Sequence, residues 1–499
     1  MSVWRVKPVS AFEADMKKND LKRVLTKWGL TSLGIGAIIG GGIFTLTGIA
    51  AHDYAGPALA LAFVIAGIGC LFASLCYAEF ASVLPVEGSA YAYAYGTVGE
   101  LFAWFIGWNL ILEYMMGATT VAVAWSGYFV KLLHLFGIEF PVWLCNDLAT
   151  AVEKSEALGL AAPSFAFNLP AFLITWIVTA ILVKGIKEAA KTNNIIVIVK
   201  IAVVLFVIIV GAFYVNTDNW TPFIPAEVPA LDELGNATGK MNFGFGGVLT
   251  AATIVFFAYI GFDAVSTQAG EAINPKKDVP FAIIASLIIC TVLYILVSLV
   301  LTGMVKYTEL DRAAPVASAF SGIGINWAVF IITIAATAGL TSVMLVMMLG
   351  QTRIFLGMAK DGLMPAFFKV LHPTFKTPYK STILVGGLIS LVAAFTPIDK
   401  VSEMCSMGTL LAFAMVCVAV MILRYKKPEL ERPYKTPAVY VVGTLGVGFN
   451  LFLMTQVRAA TWNFFMIWGV LGIIVYFIYG KRNSNLEKPE AGPEHTIDG

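Results

Sequence analysis

Apolar runs of about 20 residues recur from end to end of this chain, and no other feature limits its fold so tightly. Each run is long enough to cross ~30 Å of hydrocarbon as a helix. Twelve are expected, at roughly 30–52, 57–84, 98–130, 168–186, 192–214, 244–268, 279–304, 325–358, 381–397, 400–424, 436–456 and 460–480. Only 13% of the 499 residues are charged, against ~25% in soluble domains. Hydrocarbon offers backbone groups no hydrogen bonds, so a spanning segment must satisfy its own, and runs of this length do so as helices. The expected class is an all-α integral membrane protein with twelve transmembrane helices.

The net charge of +2 says little, but its distribution says more. With the N-terminus inside and the spans alternating, about 25 Lys and Arg fall on the cytoplasmic side and about seven outside. The positive-inside rule then puts both termini in the cytoplasm. Each basic cluster hugs a membrane end, so no nucleic-acid partner is expected; the lipid bilayer is. Residues 1–29 read as a charged cytoplasmic leader, a surface helix without a signal-peptide pattern. The tail 481–499 is polar and expected to be disordered. Five of the six cysteines lie in spans and Cys145 in an outer loop, which implies no disulfide framework.

The first span carries Ile35-Gly-Ala-Ile-Ile-Gly-Gly-Gly-Ile-Phe44 near mid-membrane. Gly40, Gly41 and Gly42 remove side-chain packing and raise the entropic cost of staying helical. An unwound segment there would expose N–H groups for an anion and C=O groups for a cation. Gly36 and Gly40 also form GxxxG, the pattern of a small-residue packing face. Five spans later Phe256-Phe-Ala-Tyr-Ile-Gly-Phe-Asp263 interrupts the sixth span. A repeat of five spans inverts its second copy, giving repeats at 30–214 and 244–424 with helices 11 and 12, residues 436–480, outside them.

Six motifs in order resemble the amino acid/polyamine/organocation superfamily, in its bacterial cationic amino acid transporter branch. They are Gly34 to Phe44, Tyr77-Ala-Glu-Phe80, Gly88-Ser-Ala-Tyr91, Gly107 to Tyr114, Gly270-Glu-Ala-Ile-Asn-Pro275, and Gly350-Gln-Thr-Arg353 followed by Asp361-Gly362. The resemblance implies a five-plus-five inverted repeat with helices 1 and 6 broken, and alternating access around a central amino-acid site. The amides of Gly41 and Gly42 would begin a half-helix whose positive end suits a carboxylate. Carbonyls near Ile38, Phe257, Ala258 and Ile260 would take the ammonium, with Phe257 capping the pocket.

Charges inside spans are costly and tend to be functional. Lys200 sits deep in the fifth span. The eighth carries Ala338-Gly-Leu-Thr-Ser342, a pattern that in sodium-coupled relatives of the fold holds a sodium ion; a Lys200 ammonium there would supply the cation covalently. The expectation is proton coupling through Lys200, with Ala338, Thr341 and Ser342 as a pseudo-sodium site. Asp263 is a second proton-path candidate or a helix cap. Glu113 carries a proton, organises water or faces a cationic side chain; these alternatives stay open. Glu79 and Glu271 read as gate or loop anchors, and Ser321 and Ala317 as vestibule residues.

The expected function is import of an L-amino acid with a proton, small and neutral like alanine, or cationic like arginine and lysine. The rivals are an amino acid/polyamine exchanger and a receptor that does not transport. An enzyme is not expected: there are four histidines, no HExxH and no GxSxG, and Gly235-Asn-Ala-Thr-Gly-Lys-Met241 has the wrong spacing for a phosphate loop. No cofactor and no metal are called for. An accessory subunit or bound lipid is not readable from the sequence.

Overall fold

The computed structural model describes residues 4–8, 11, 23–84, 89–231, 237–311, 314–457 and 459–486. The apolar runs fold into helices. They are α1 (Lys27–Ile38), α2 (Leu59–Val83), α3 (Glu100–Leu135), α4 (Leu169–Lys184), α5 (Ile186–Ala212) and α6 (Gly244–Phe256), then α7 (Pro275–Met304), α8 (Asn326–Lys360), α9 (Tyr379–Phe395), α10 (Ile398–Lys426), α11 (Val439–Thr455) and α12 (Ala459–Val475). Eight helical stretches among the described residues are long and apolar enough to cross a membrane, and three shorter apolar helices accompany them. The chain is a multi-pass membrane protein.

Its polarity is distributed accordingly. Large apolar side chains face outward, such as Ile288 and Val292 of α7 and Ile467 and Val470 of α12. Polar groups turn inward and find partners. Threonine hydroxyls donate back to the carbonyl four residues earlier, as Thr119 does to Met115 and Thr333 to Val329. A hydroxyl in hydrocarbon is satisfied this way without a second helix. At the centre α3 packs against α8 and α10, and α2 against α6 and α7. The first half-helix α1 is held between α5, α7 and α8.

One feature departs from the all-α expectation. The connection after α5 contains an antiparallel pair, β1 (Val228–Leu231) and β2 (Ala237–Asn242), with Val228 opposite Asn242. The segment resembling a phosphate loop is therefore half strand, and residues 232–236 lie outside the described residues. The connection after α3 carries a helix, Leu148–Ala157, capped by the Asp147 side chain on the Thr150 amide. All six cysteines are free and buried.

The ends of the chain also differ from expectation. Residues 4–8 are not a surface helix: they run without helical structure, and the Lys7 side chain is buried. Residues 481–486, expected in the disordered tail, start as a short helix and continue into contact with the bundle. The remainder of leader and tail lies outside the described residues.

Glu79, read as a gate or anchor, is an anchor. Arg424 of α10 grips its carboxylate at 2.6 and 2.8 Å, Arg432 approaches at 3.2 Å, and the Thr436 amide donates at 2.8 Å. These bonds fasten α10 and its connection to α11 onto the end of α2. Removing one partner of a buried pair strands the other charge, at a cost of about 3–5 kcal/mol. Glu79→Ala is therefore expected to lower the melting temperature in detergent by several degrees or more; an unchanged melt would show that the two arginines are satisfied without it.

Candidate functional site

α1 has only 12 residues, about 18 Å of helix, too short to cross a bilayer. It stops at Ile38; Ile39 is extended (ψ 105°), and helical structure resumes at Gly41, opening with a π-helical turn at Gly42–Leu46. α6 likewise passes through a 3-10 turn at Phe257–Tyr259 and stops. Ile260 is extended (ψ 133°), and Gly261 has φ +119°, a conformation that favours glycine. A four-residue helix, Ala264–Thr267, follows.

The two breaks meet. A Cβ added at Gly42 would fall 2.3 Å from the Ala258 Cα, so the backbones approach as closely as only glycine permits. Between them lies a narrow cavity. Gly40–Gly42 with Ala37 and Ile38, and Phe257 with Ile260, form one side; Gly117 and Val121 of α3 and Val343 and Met347 of α8 form the other. Each of these lining side chains is apolar. The expected binding residues Ile38, Gly40, Gly41, Gly42, Phe257 and Ile260 are thus brought together.

A helix that stops mid-membrane leaves its last carbonyls without intrahelical partners. Lys200 of α5, fully buried, donates to the Gly36 carbonyl at 2.8 Å and the Ile39 carbonyl at 2.5 Å. A cation at a helix C-terminus also meets the negative end of its dipole. The Ser342 hydroxyl of α8 donates to Asn193 Oδ1 at 2.6 Å and lies 3.3 Å from the Gly36 carbonyl, so Lys200 and Ser342 converge on one carbonyl.

The rest of the expected pseudo-sodium site does not assemble. Thr341 turns to α3, accepting from Trp125 Nε1 at 2.9 Å and donating to the Thr337 carbonyl. Successive residues of a helix point about 100° apart, and here Thr341 faces α3 while Ser342 faces α1. No bond joins Ala338 to the lysine; its neighbour Gly339 lies beside the lysine stem.

One residue absent from the expected site stands at its centre. The Tyr294 hydroxyl of α7 lies 2.6 Å from the Ile38 carbonyl and 3.0 Å from that of Ala258, tying the two breaks together. The Phe257 carbonyl accepts from the Ile260 amide at 3.2 Å. Three of the carbonyls expected to await an ammonium, those of Ile38, Phe257 and Ala258, therefore already meet a donor. The available signal was a lone tyrosine in an apolar stretch, Thr291-Val-Leu-Tyr-Ile295.

Asp263 accepts from the Tyr114 hydroxyl at 2.6 Å and from the Gly261 amide at 3.3 Å, so it braces the second break. Glu113 does not line the cavity. It lies one turn before Gly117 on α3, buried, with neither carboxylate oxygen bonded among the described residues. Glu271 accepts from Arg353 at 2.7 Å, and its carbonyl takes the Val24 and Leu25 amides, joining the start of α1 to the chain after the second break. Ser321 is exposed and outside the cavity lining, while Ala317 is buried.

Two interrupted helices around a cavity in an apolar bundle are the arrangement of a membrane transporter. The chain belongs to the amino acid permease family, which it matches over residues 25–478. It is 44% identical to the branched-chain amino acid permease BcaP of Bacillus subtilis, over 98% of this chain and 99% of that one. It is 42% identical to the methylthioribose transporter of the same organism, over 98% and 100%. The vacuolar cationic amino acid transporter 4 of Arabidopsis thaliana is 38% identical over 83% of this chain and 66% of its own length. These relatives are transporters of the amino acid/polyamine/organocation superfamily, not enzymes.

The close approach at Gly42 gives a paired test. Gly42→Ala drives a methyl into the Ala258 backbone and should separate the half-helices, lowering thermal stability and abolishing ligand-induced stabilisation. Gly41→Ala meets only Leu340 Cδ2 at 3.6 Å, an ordinary contact, and should fold like the parent protein. Equal melting curves for the two variants would contradict this packing.

Proposed function

We propose that this chain imports neutral L-amino acids by proton-coupled symport, with alternating access around the cavity between the two breaks. The carrying observation is that cavity: peptide groups of two broken helices on one side, and Gly117, Val121, Val343 and Met347 on the other. An amino acid's carboxylate and ammonium need donors and acceptors close together, and paired half-helix ends offer both. The apolar wall favours an aliphatic side chain. The branched-chain and cationic relatives speak for amino acids of either kind; a wall without carboxylates argues for the neutral kind, from alanine upward in size.

The architecture proposed is the twelve-span form, five helices plus five inverted, with α11 and α12 outside the repeat and both termini cytoplasmic in a bacterial plasma membrane. The breaks in α1 and α6, five helices apart, support it. Lys200 is proposed as the coupled proton carrier. As an ammonium it ties α5 to the end of α1 through two carbonyls; as a neutral amine it keeps fewer donors and no charge for the helix end. Its protonation thereby biases whether the first half-helix stays docked. Glu113 and Asp263 are proposed as further stations for the proton, the first because its carboxylate is buried without a bonded partner. A cationic substrate is the second reading, favoured by that same carboxylate one turn from the cavity.

Reconstituted liposomes test these readings. Labelled isoleucine or alanine is expected to accumulate under an inward proton gradient with nothing preloaded. Uptake only against an internal amino acid means exchange, and binding without flux means a receptor. Preferential uptake of labelled arginine means the cationic reading, and stabilisation by methylthioribose alone would overturn the amino-acid assignment. Lys200→Ala is expected to lose proton-driven accumulation while remaining folded; unchanged accumulation would remove Lys200 from the coupling.

A further inference from the structure

Residues 5–7 and 484–485 meet at the end of the bundle where α1 begins, on Glu100 and Asp361. Glu100 is the first residue of α3 and is fully buried. Its carboxylate accepts from Arg5 at 3.3 Å, Tyr95 at 3.1 Å, Tyr476 at 2.9 Å and Ser484 at 2.5 Å. Asp361 follows the last turn of α8, and its carboxylate accepts from Lys7 at 2.5 Å and Tyr91 at 2.7 Å. The N-terminal segment therefore pairs Arg5 with α3 and Lys7 with α8. The C-terminal segment spans the same two helices: Ser484 bonds Glu100, while the Asn485 amide donates to the Asp361 carbonyl at 3.0 Å and its side chain to the Lys360 carbonyl at 2.7 Å.

α3 and α8 are also the helices that wall the cavity, through Gly117, Val121, Val343 and Met347. The C-terminal segment reaches them from a fixed base. α12 is stapled to α3 by Trp104 on the Gly472 carbonyl at 2.8 Å, Trp108 on that of Trp468 at 2.9 Å, and Trp468 on that of Trp108 at 3.2 Å. Tyr476 adds a bond to Glu100 before the chain turns toward α8.

We infer that Ser484–Leu486 is a regulatory strap: it closes the α1 end of the bundle by binding Glu100 and the end of α8, and it holds Arg5 and Lys7 in place over them. Glu100 is the shared bolt. A hydroxyl completes its set of donors; a second carboxylate beside it, in so buried a site, repels it. Releasing the strap frees the ends of α3 and α8 and loosens the N-terminal segment, so this end opens more readily. That consequence for transport rests on the alternating-access reading, whereas the clamp itself does not.

Hydrogen exchange on the full-length protein in detergent tests the clamp without any substrate. The reporters are the amides of Lys7, bonded to the Tyr95 carbonyl, Glu100, bonded to the Arg5 carbonyl, and Asn485. One hydrogen bond to a charged group is worth roughly tenfold or more in a local equilibrium. Ser484→Asp is expected to speed exchange at all three amides about tenfold, leaving the middle of α7 unchanged. Ser484→Ala should act in the same direction by less. Faster exchange at Asn485 alone, with Lys7 and Glu100 as protected as in the parent protein, would overturn the proposal, as would no change at any of them. Should Ser484→Asp loosen the whole bundle, Ser484→Ala and Asn485→Ala decide by the same criterion. Amino-acid flux can fail while this pattern appears, or the reverse, so the two readings stand or fall separately.

Discussion

Everything at the centre of this protein follows from peptide groups that lose their helical partners in a medium that offers no water. Breaking a helix there is costly unless the freed carbonyls are bonded again. Here three side chains from three helices converge on them: Lys200 of α5, Tyr294 of α7 and Ser342 of α8. Each bond repairs the break and also ties the half-helix α1 to a neighbour. The stability of the interruption and its capacity to move therefore reside in the same contacts.

This makes the position of Lys200 informative. A lysine with two carbonyl acceptors holds the end of α1 by charge and by hydrogen bonds together, and the charge is the part a proton controls. Tyr294 bridges the carbonyls of both breaks through its hydroxyl. A ligand ammonium would approach the Ile38 and Ala258 carbonyls, which already share the Tyr294 hydroxyl. A carbonyl oxygen has two lone pairs, so sharing rather than displacement suffices.

Much of the fold was legible because its signals are local. Twenty-residue apolar runs and tandem glycines declare spans and a break wherever they occur. Gly40–Gly42 and Gly261 were readable because no neighbour is needed to know that they weaken a helix. The site was legible in its backbone and less so in its side chains. Thr341 looked equivalent to Ser342, yet one turn of geometry sends it to Trp125 on α3. Residues 4–8 and 481–486 are harder to read from sequence, because a polar composition does not say which polar residues fold back onto buried acids.

The sequence by itself therefore determined the helical class, the spans, the two interruptions and the presence of buried charge, since hydrophobicity and helix propensity act over a few turns. Only the tertiary structure decided that Tyr294 joins the breaks, that Glu113 stands beside the cavity rather than in it, and that Ser484 reaches Glu100. Those pairings join residues tens to hundreds of positions apart, and helix crossing, which no local pattern encodes, sets which oxygen each donor can reach.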